Sequence, residues 1–273
     1  MQKKKNNPLS YLNNTYSLIT GAGGLLGEQH ASALLDIKSN IILTDINEKK
    51  IFLLKKKLKK KYKNSNILHF KLDVSNENSV KKLHKFLINK KYFVNVLINN
   101  AALDSKVKKG NKMDYSGKIE QTSLKNWNRF IDVNLTGAFL CSKFFGSQMA
   151  KKGGGIIINI ASDLSLIAPN HSIYLKGSYK PVMYSVTKHG IIGLTKYLST
   201  YWNTKNVRCN ALSPGPVDSN QGTNFKNKLK KLIPLNRLAK KNEYKSAIQF
   251  LATDASSYMT GQNLIMDGGR SVW

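Results

Sequence analysis

Short apolar runs alternate with longer amphipathic stretches along the whole chain. Tyr16–Thr20, Asn40–Thr44, Ile67–Leu72, Val94–Ile98, Gly155–Ala161 and Val207–Leu212 read as buried strands. Between them, Glu48–Lys63 places Ile51, Leu54, Leu58 and Tyr62 at helical spacing, with lysines on the remaining faces. Asn76–Asn89, Leu124–Lys151, Met183–Thr204 and Glu243–Thr253 predict further helices. Right-handed strand–helix–strand crossovers put helices on both faces of a parallel sheet. The pattern therefore predicts an α/β fold, a doubly wound parallel sheet of about seven strands. No Pro-, Gly- or Ser-rich linker divides the chain. Residues 15–273 are expected to form one domain holding both cofactor and substrate sites, with residues 1–14 as a flexible basic tail.

Composition narrows the class. A chain of 273 residues with 41% hydrophobic positions can bury a core without staples and is not wholly disordered. Two cysteines, Cys141 and Cys209, exclude a disulfide scaffold and suit a reducing compartment. No apolar run is long enough to span a membrane. The basic stretch Met1–Pro8 is not followed by the apolar core of a secretory signal, so a cytoplasmic location is expected.

The net charge of +29 favours anionic partners. Only Arg129, Arg208, Arg237 and Arg270 are arginines, however, and asparagine is abundant. A nucleic-acid reader would use more of arginine's planar fork. Compositional bias is the preferred reading, and the lysines of Glu48–Lys63 read as a solvated helix face. No specific nucleic-acid or membrane partner is expected.

The first strand runs into Thr20-Gly21-Ala22-Gly23-Gly24-Leu25-Leu26-Gly27, and a helix follows. Glycines at such a turn let the backbone approach a pyrophosphate at the helix N-terminus. A tight structural turn would use the same residues. Glu28 stands where a Walker loop needs lysine. Asp45 ends the second strand 18 residues past Gly27, near the spacing for an acid that accepts from a ribose diol and repels a 2′-phosphate. NAD is therefore favoured over NADP, although Asp45 could equally cap the following helix. Asp73, with Val74, follows the third strand and is placed beside the adenine. Asn99-Asn100-Ala101-Ala102 follows the fourth and is placed along the ribose.

Tyr184-Ser185-Val186-Thr187-Lys188 carries the strongest signal. Tyr and Lys at i and i+4 share a helix face, and a nearby ammonium stabilises a phenolate, giving an acid/base for an alcohol–carbonyl pair. Asn134 is a polar residue inside an otherwise apolar helical stretch, a liability unless it bonds something.

Together these segments resemble the single-domain short-chain dehydrogenase/reductase family over roughly residues 15–270. The resemblance rests on the glycine turn, Asn-Asn-Ala-Ala, Val133-Asn134-Leu135-Thr136-Gly137, Asn159-Ile160-Ala161-Ser162, the Tyr-x-x-x-Lys motif, Asn210 to Val217, and Gly261-Gln262 through Asp267-Gly268-Gly269. It implies a Rossmann fold and a catalytic set of Asn134, Ser162, Tyr184 and Lys188. Tyr184 would be the acid/base. Lys188 would lower its pKa and hold the nicotinamide ribose, Ser162 would bond the reacting oxygen, and Asn134 would position a water. Gly21, Gly23, Gly24, Leu25, Leu26, Gly27, Asp45, Asp73, Val74, Asn100 and Ala101 would bind the cofactor. Pro214, Gly215, Val217 and Ser219 would lie against its nicotinamide. Family members commonly pair the two long helices, which implies a homodimer or homotetramer. No metal is implied.

Three departures stand out. Leu25 occupies the middle glycine's place in the turn, Ala102 replaces a glycine, and Ser162 and Tyr184 are 22 residues apart, more than the family usually has. The extra segment, roughly 170–180, carries His171, Tyr174, Lys176, Tyr179 and Lys180. It must start and end at the site, so a role in substrate recognition is expected over a bland surface loop. With Lys106, Lys108, Lys109 and Lys112 in the stretch Asp104–Ser116, it suggests an anionic, sugar-derived substrate. The chain further resembles family members of flagellin-modification and nonulosonate sugar pathways. The alternatives are a 3-oxoacyl-carrier-protein reductase, which Asp45 disfavours because those enzymes usually take NADPH, and a nucleotide- or RNA-binding protein with a vestigial site.

Overall fold

The computed structural model describes residues 12–105 and 117–273. Its elements follow the expected alternation: β1 (Tyr16–Ile19), α1 (Gly27–Asp36), β2 (Asn40–Asp45), α2 (Glu48–Lys61), β3 (Ile67–Lys71), α3 (Glu77–Asn89) and β4 (Val94–Asn99). The second half runs α4 (Leu124–Ile131), α5 (Gly137–Cys141), α6 (Ser147–Lys151), β5 (Gly155–Ile160), α7 (Val182–Tyr201), β6 (Val207–Pro214), α8 (Thr223–Lys230), α9 (Lys245–Ala252) and β7 (Asn263–Met266). The strands form one sheet in the order β3-β2-β1-β4-β5-β6-β7, all pairs parallel. The order reverses between β1 and β4, which opens a crevice at the strands' carboxyl ends.

Alternation along the strands divides the core. Ile19, Ile41, Leu43, Val96 and Ile98 pack with α1, α2 and α9 on one face. Leu18, Ile42, Leu97, Ile157 and Cys209 pack with α3, α6 and α7 on the other. Both cysteines are free and buried, and burial pushes their thiols well above the ordinary range. No helix among the described residues is long and apolar enough to cross a membrane.

Two expectations are corrected, and a third falls mostly outside the described residues. The predicted helix Leu124–Lys151 is one continuous run broken by two π turns, Asp132–Thr136 and Ser142–Gly146. Such wide turns occur often at functional sites. The predicted helix Glu243–Thr253 begins as a 3-10 turn, Lys241–Tyr244. The predicted tail lies outside the described residues up to position 11, but Leu12 is already docked. Its N–H donates to the Ile37 carbonyl at 2.8 Å, and its side chain packs on the core.

Candidate active site

A cleft of 760 Å³ opens at the carboxyl ends of the strands. One end is built by the glycine turn. Gly21 has φ +62° and passes so close to β4's exit that a Cβ would lie 2.8 Å from the Ala101 Cα. Gly27 lets α1 start against the turn, since a Cβ there would lie 2.5 Å from the Gly21 carbonyl oxygen. Leu25 is not at a positive φ, so the glycine missing from that place is not demanded by the backbone. Asp45 sits beside the turn: its carboxylate accepts from the Gly23 N–H at 3.0 Å and the Asn47 N–H at 2.9 Å. The root of Lys50 also lies close to Gly23.

The two asparagines ending β4 and following it diverge. Asn100 Nδ2 donates to the carbonyls of Thr20 and Gly21 at 2.9 and 3.0 Å, fixing the glycine turn. Asn99 turns into the sheet, where its amide donates to Asn159 Oδ1 at 2.8 Å and Ser142 Oγ at 3.0 Å. Asn159 in turn donates to Thr195 Oγ1 at 2.9 Å. This buried chain links amides and hydroxyls side to side, while the Asn99 carbonyl oxygen has no partner among the described residues.

At the other end, Ser162 leaves β5 and Tyr184 and Lys188 rise from α7. All three line the cleft, with Gly21, Gly24, Leu25, Leu26, Asp45, Asn100 and Ala101 on one side and Pro214, Gly215, Val217 and Ser219 on the other. Gly23, Gly27, Asp73, Val74 and Asn134 lie outside its wall. Asp73 is folded into a turn, accepting from the Ser75 N–H and hydroxyl. Val74 packs against Gly137. Asn134 stands in the first π turn, beside Thr187 of α7. It accepts from the Leu103 N–H at 2.7 Å and donates to the Leu103 carbonyl and to Thr187 Oγ1.

The electrostatics differ from expectation in one respect. Lys188 Nζ donates to the Ile160 carbonyl at 2.7 Å and lies 5.7 Å from the Tyr184 ring centroid. Burial pulls its pKa down to about 8; Asp104 opposes that shift and Lys180 adds to it. Desolvation in the cleft pushes the Tyr184 phenol above its ordinary value, and the Asp104 carboxylate adds to this. The ammonium that opposes the rise is that of Lys180, aided by a hydrogen bond with Ser162. Lys188 was expected in that role, but its ammonium is directed at a strand carbonyl.

Sequence reasoning missed much of the substrate side. Asp163, next to Ser162, accepts the Ser162 hydroxyl at 2.8 Å and the Leu164 N–H at 2.9 Å. Its other oxygen is ion-paired with Arg270, and both side chains are buried. Lys180 is ion-paired with Asp104 at 2.5 Å. Tyr174 lies within the field of all four charges. The extra segment is no loose loop: Ile173 packs with Phe225, Leu229, Ile233 and Leu238, so it and α8 wall the cleft together. Lys106, Lys108, Lys109 and Lys112 lie outside the described residues.

A family model described as enoyl-(acyl carrier protein) reductase matches residues 21–271. The protein belongs to the short-chain dehydrogenase/reductase family. It is an oxidoreductase of that family, one whose members bind NAD or NADP. Among curated relatives, a D-threitol dehydrogenase of Mycolicibacterium smegmatis is 29% identical, over 96% of this chain and 94% of that protein. A short-chain dehydrogenase of Leptospira borgpetersenii with bound NAD+ superposes with a TM-score of 0.84 at 27% identity, covering 100% of this chain and 98% of the other. A gluconate 5-dehydrogenase of Burkholderia cenocepacia, in complex with NADP and tartrate, gives 0.84 at 25% identity, covering 96% and 97%.

Proposed function

We propose that this dehydrogenase/reductase interconverts a secondary alcohol and a ketone on a polyhydroxylated, sugar-derived substrate bearing an anionic group, with NAD preferred over NADP. One observation carries the reading: Ser162, Tyr184 and Lys188 converge in the same cleft as the glycine turn and Asp45. In the oxidising direction the Tyr184 phenolate takes the carbinol proton while Ser162 holds the reacting oxygen. Lys188 holds the nicotinamide ribose, and Asn134 positions a water behind the pair. A bound nicotinamide would supply the acceptor for the hydride leaving the carbinol carbon. The glycine turn, Asp45, Asp73, Val74, Asn100 and Ala101 hold the rest of the cofactor, with Pro214, Gly215, Val217 and Ser219 against its reactive ring.

A polyhydroxylated substrate is supported by the wall above Tyr184. The pairs Lys180–Asp104 and Arg270–Asp163 offer alternating donors and acceptors, which suits vicinal hydroxyls and not the apolar chain of an acyl-carrier substrate. The threitol and gluconate specificities of the relatives point the same way. For the anionic group the cleft offers Lys241, exposed at its rim. Apolar residues exposed on the long helices, Leu124, Phe139, Val186 and Tyr197, support a homodimer or homotetramer, and light scattering checks it. The flagellin-modification and nonulosonate resemblance and a cytoplasmic location belong to the same reading.

The test is a thermal-shift series with NAD and NADP, followed by turnover on sugar acids, sugar phosphates and polyols with the preferred cofactor. A ligand at a hundred times its Kd stabilises by about 2.7 kcal/mol, so a modest binder registers. Tyr184→Phe is expected to abolish turnover and keep NAD binding; normal turnover in that variant overturns the assignment. Asp45→Asn is expected to raise the NADP/NAD ratio of kcat/KM, and an unchanged ratio removes Asp45 from cofactor choice.

A further inference from the structure

Among the described residues two ammonium groups stand near the Tyr184 ring, and only one belongs to the Tyr-x-x-x-Lys pair. The other is Lys180, on the segment between Ser162 and Tyr184. Its Nζ lies 4.0 Å from the ring centroid, nearer than the 5.7 Å of Lys188. Its side chain is only 10% exposed, and its one ion-pair partner among the described residues is Asp104, at the exit of β4. The Asp104 side chain is 37% exposed and lines the cleft, within reach of whatever enters it.

We propose that Lys180 is a positioning residue for the acid/base and Asp104 its counter-charge: the ammonium over the ring face favours the phenolate, and a substrate hydroxyl that engages Asp104 releases that ammonium's field onto the ring. This rests on Tyr184 being the acid/base. A cation over an aromatic face is attracted by the ring, and more strongly by the electron-rich phenolate than by the phenol. A carboxylate on the same ammonium screens it and disfavours a second negative charge nearby. Substrate binding would thus lower the cost of the proton transfer only when the ligand carries a hydroxyl to place on Asp104. Lys180 stays protonated throughout. Burial disfavours its charge, but Asp104, Tyr184 and Tyr174 outweigh burial and hold its pKa above the ordinary value. The proton moves between the carbinol oxygen and Tyr184 alone.

Other charged groups face the phenol. Lys188, on the same helix, bonds the Ile160 carbonyl. Asp163, on the turn after β5, is neutralised by Arg270 and bonds Ser162. Tyr174 lies on the inserted segment. None of these is ion-paired with Asp104 or Lys180, although the fields of both reach Lys188 and Tyr174.

The test needs no substrate. The chain is labelled with 13Cζ-tyrosine, and the Tyr184 resonance is identified by its loss in Tyr184→Phe. Its titration is followed from about pH 7 to 12.5, a range reaching well above the ordinary tyrosine pKa because burial raises this phenol. Lys180→Met is expected to raise the midpoint by about one unit or more, Asp104→Asn to lower it, and Lys180→Arg to keep it near that of the unaltered protein. A merely loosened segment would wet the phenol and lower the midpoint in both single variants. A midpoint that falls or stays put in Lys180→Met overturns the proposal. So does a Tyr184 that remains protonated to the top of the range in all the proteins, Asp104→Asn included. Either failure leaves the dehydrogenase reading intact, since that stands on turnover and on Tyr184→Phe.

Discussion

Arg270 lies in a 3-10 turn close to the C-terminus, and its guanidinium reaches the carboxylate beside Ser162. Arg270→Met would remove the cation and leave Asp163 charged at a site where both side chains are at most 7% exposed. Breaking one partner of a buried pair costs about 3–5 kcal/mol, because the remaining charge is stranded. Asp163 would keep the Ser162 hydroxyl and the Leu164 N–H, at 2.8 and 2.9 Å. The lower end is therefore expected, about 3 kcal/mol. For a chain of this size that is a fall of roughly 6–12 °C in Tm. Urea unfolding followed by tryptophan fluorescence gives the free energy directly. The companion variant Arg270→Met with Asp163→Asn removes both charges and keeps a polar group for Ser162 and Leu164. It should recover to within about 1 kcal/mol of the unaltered protein, since removing a whole buried pair is often close to neutral. A single variant costing less than about 1 kcal/mol, or a double as damaged as the single, would refute the reasoning.

Three further outcomes are expected. Lys188 is pulled from 10.5 to about 8 by burial, so the folded protein resists its charge; Lys188→Met should stabilise the cofactor-free protein at pH 7 by on the order of 1–2 kcal/mol, after allowing for the orphaned Ile160 carbonyl. The unfolded chain binds the extra proton between about pH 8 and 10.5, so that advantage should shrink across this window, and a constant difference in urea midpoints contradicts it. His30 is buried at about pKa 3 and stays neutral in the fold, so stability should drop as pH falls below 6.5; in His30→Met the loss between pH 7 and 5 should be smaller, and equal losses would remove His30 as a source of acid sensitivity. Gly27→Ala should weaken NAD binding at least tenfold by calorimetry, because the new Cβ meets only backbone at 2.5–2.9 Å; unchanged affinity would mean that α1 does not seat the cofactor.

The sheet was legible because its strands are buried on both faces and read as unbroken apolar runs. Six strands appear within a residue or two of their expected ends. β7 carries no such signal: it is a short edge strand whose four residues all keep some exposure. α8 was missed for a related reason, since Phe225 and Leu229 are its only buried positions amid lysines and asparagines. Spacing along one helix or one turn found Tyr184, Lys188, the glycine turn and Asp45. The substrate side depends on contacts that spacing cannot see. Asp163 and Arg270 are 107 residues apart, and Lys180 and Asp104 are 76 apart. The extra segment could be singled out by its length, but the lysine in it that matters was one basic residue among forty-four.

The divergence of Asn99 and Asn100 gives β4 an exacting job. Consecutive side chains on an extended strand face opposite ways, so one asparagine braces the interior while its neighbour grips the glycine turn. Inserting a single residue between Val94 and Asn99 would exchange the two postures: the brace would swing outward, and the grip would close on nothing. Such a lesion would damage folding and cofactor capture together, whereas length changes in the outer connections could spare both. The middle strand therefore tolerates no change of length, whereas the rims can absorb one.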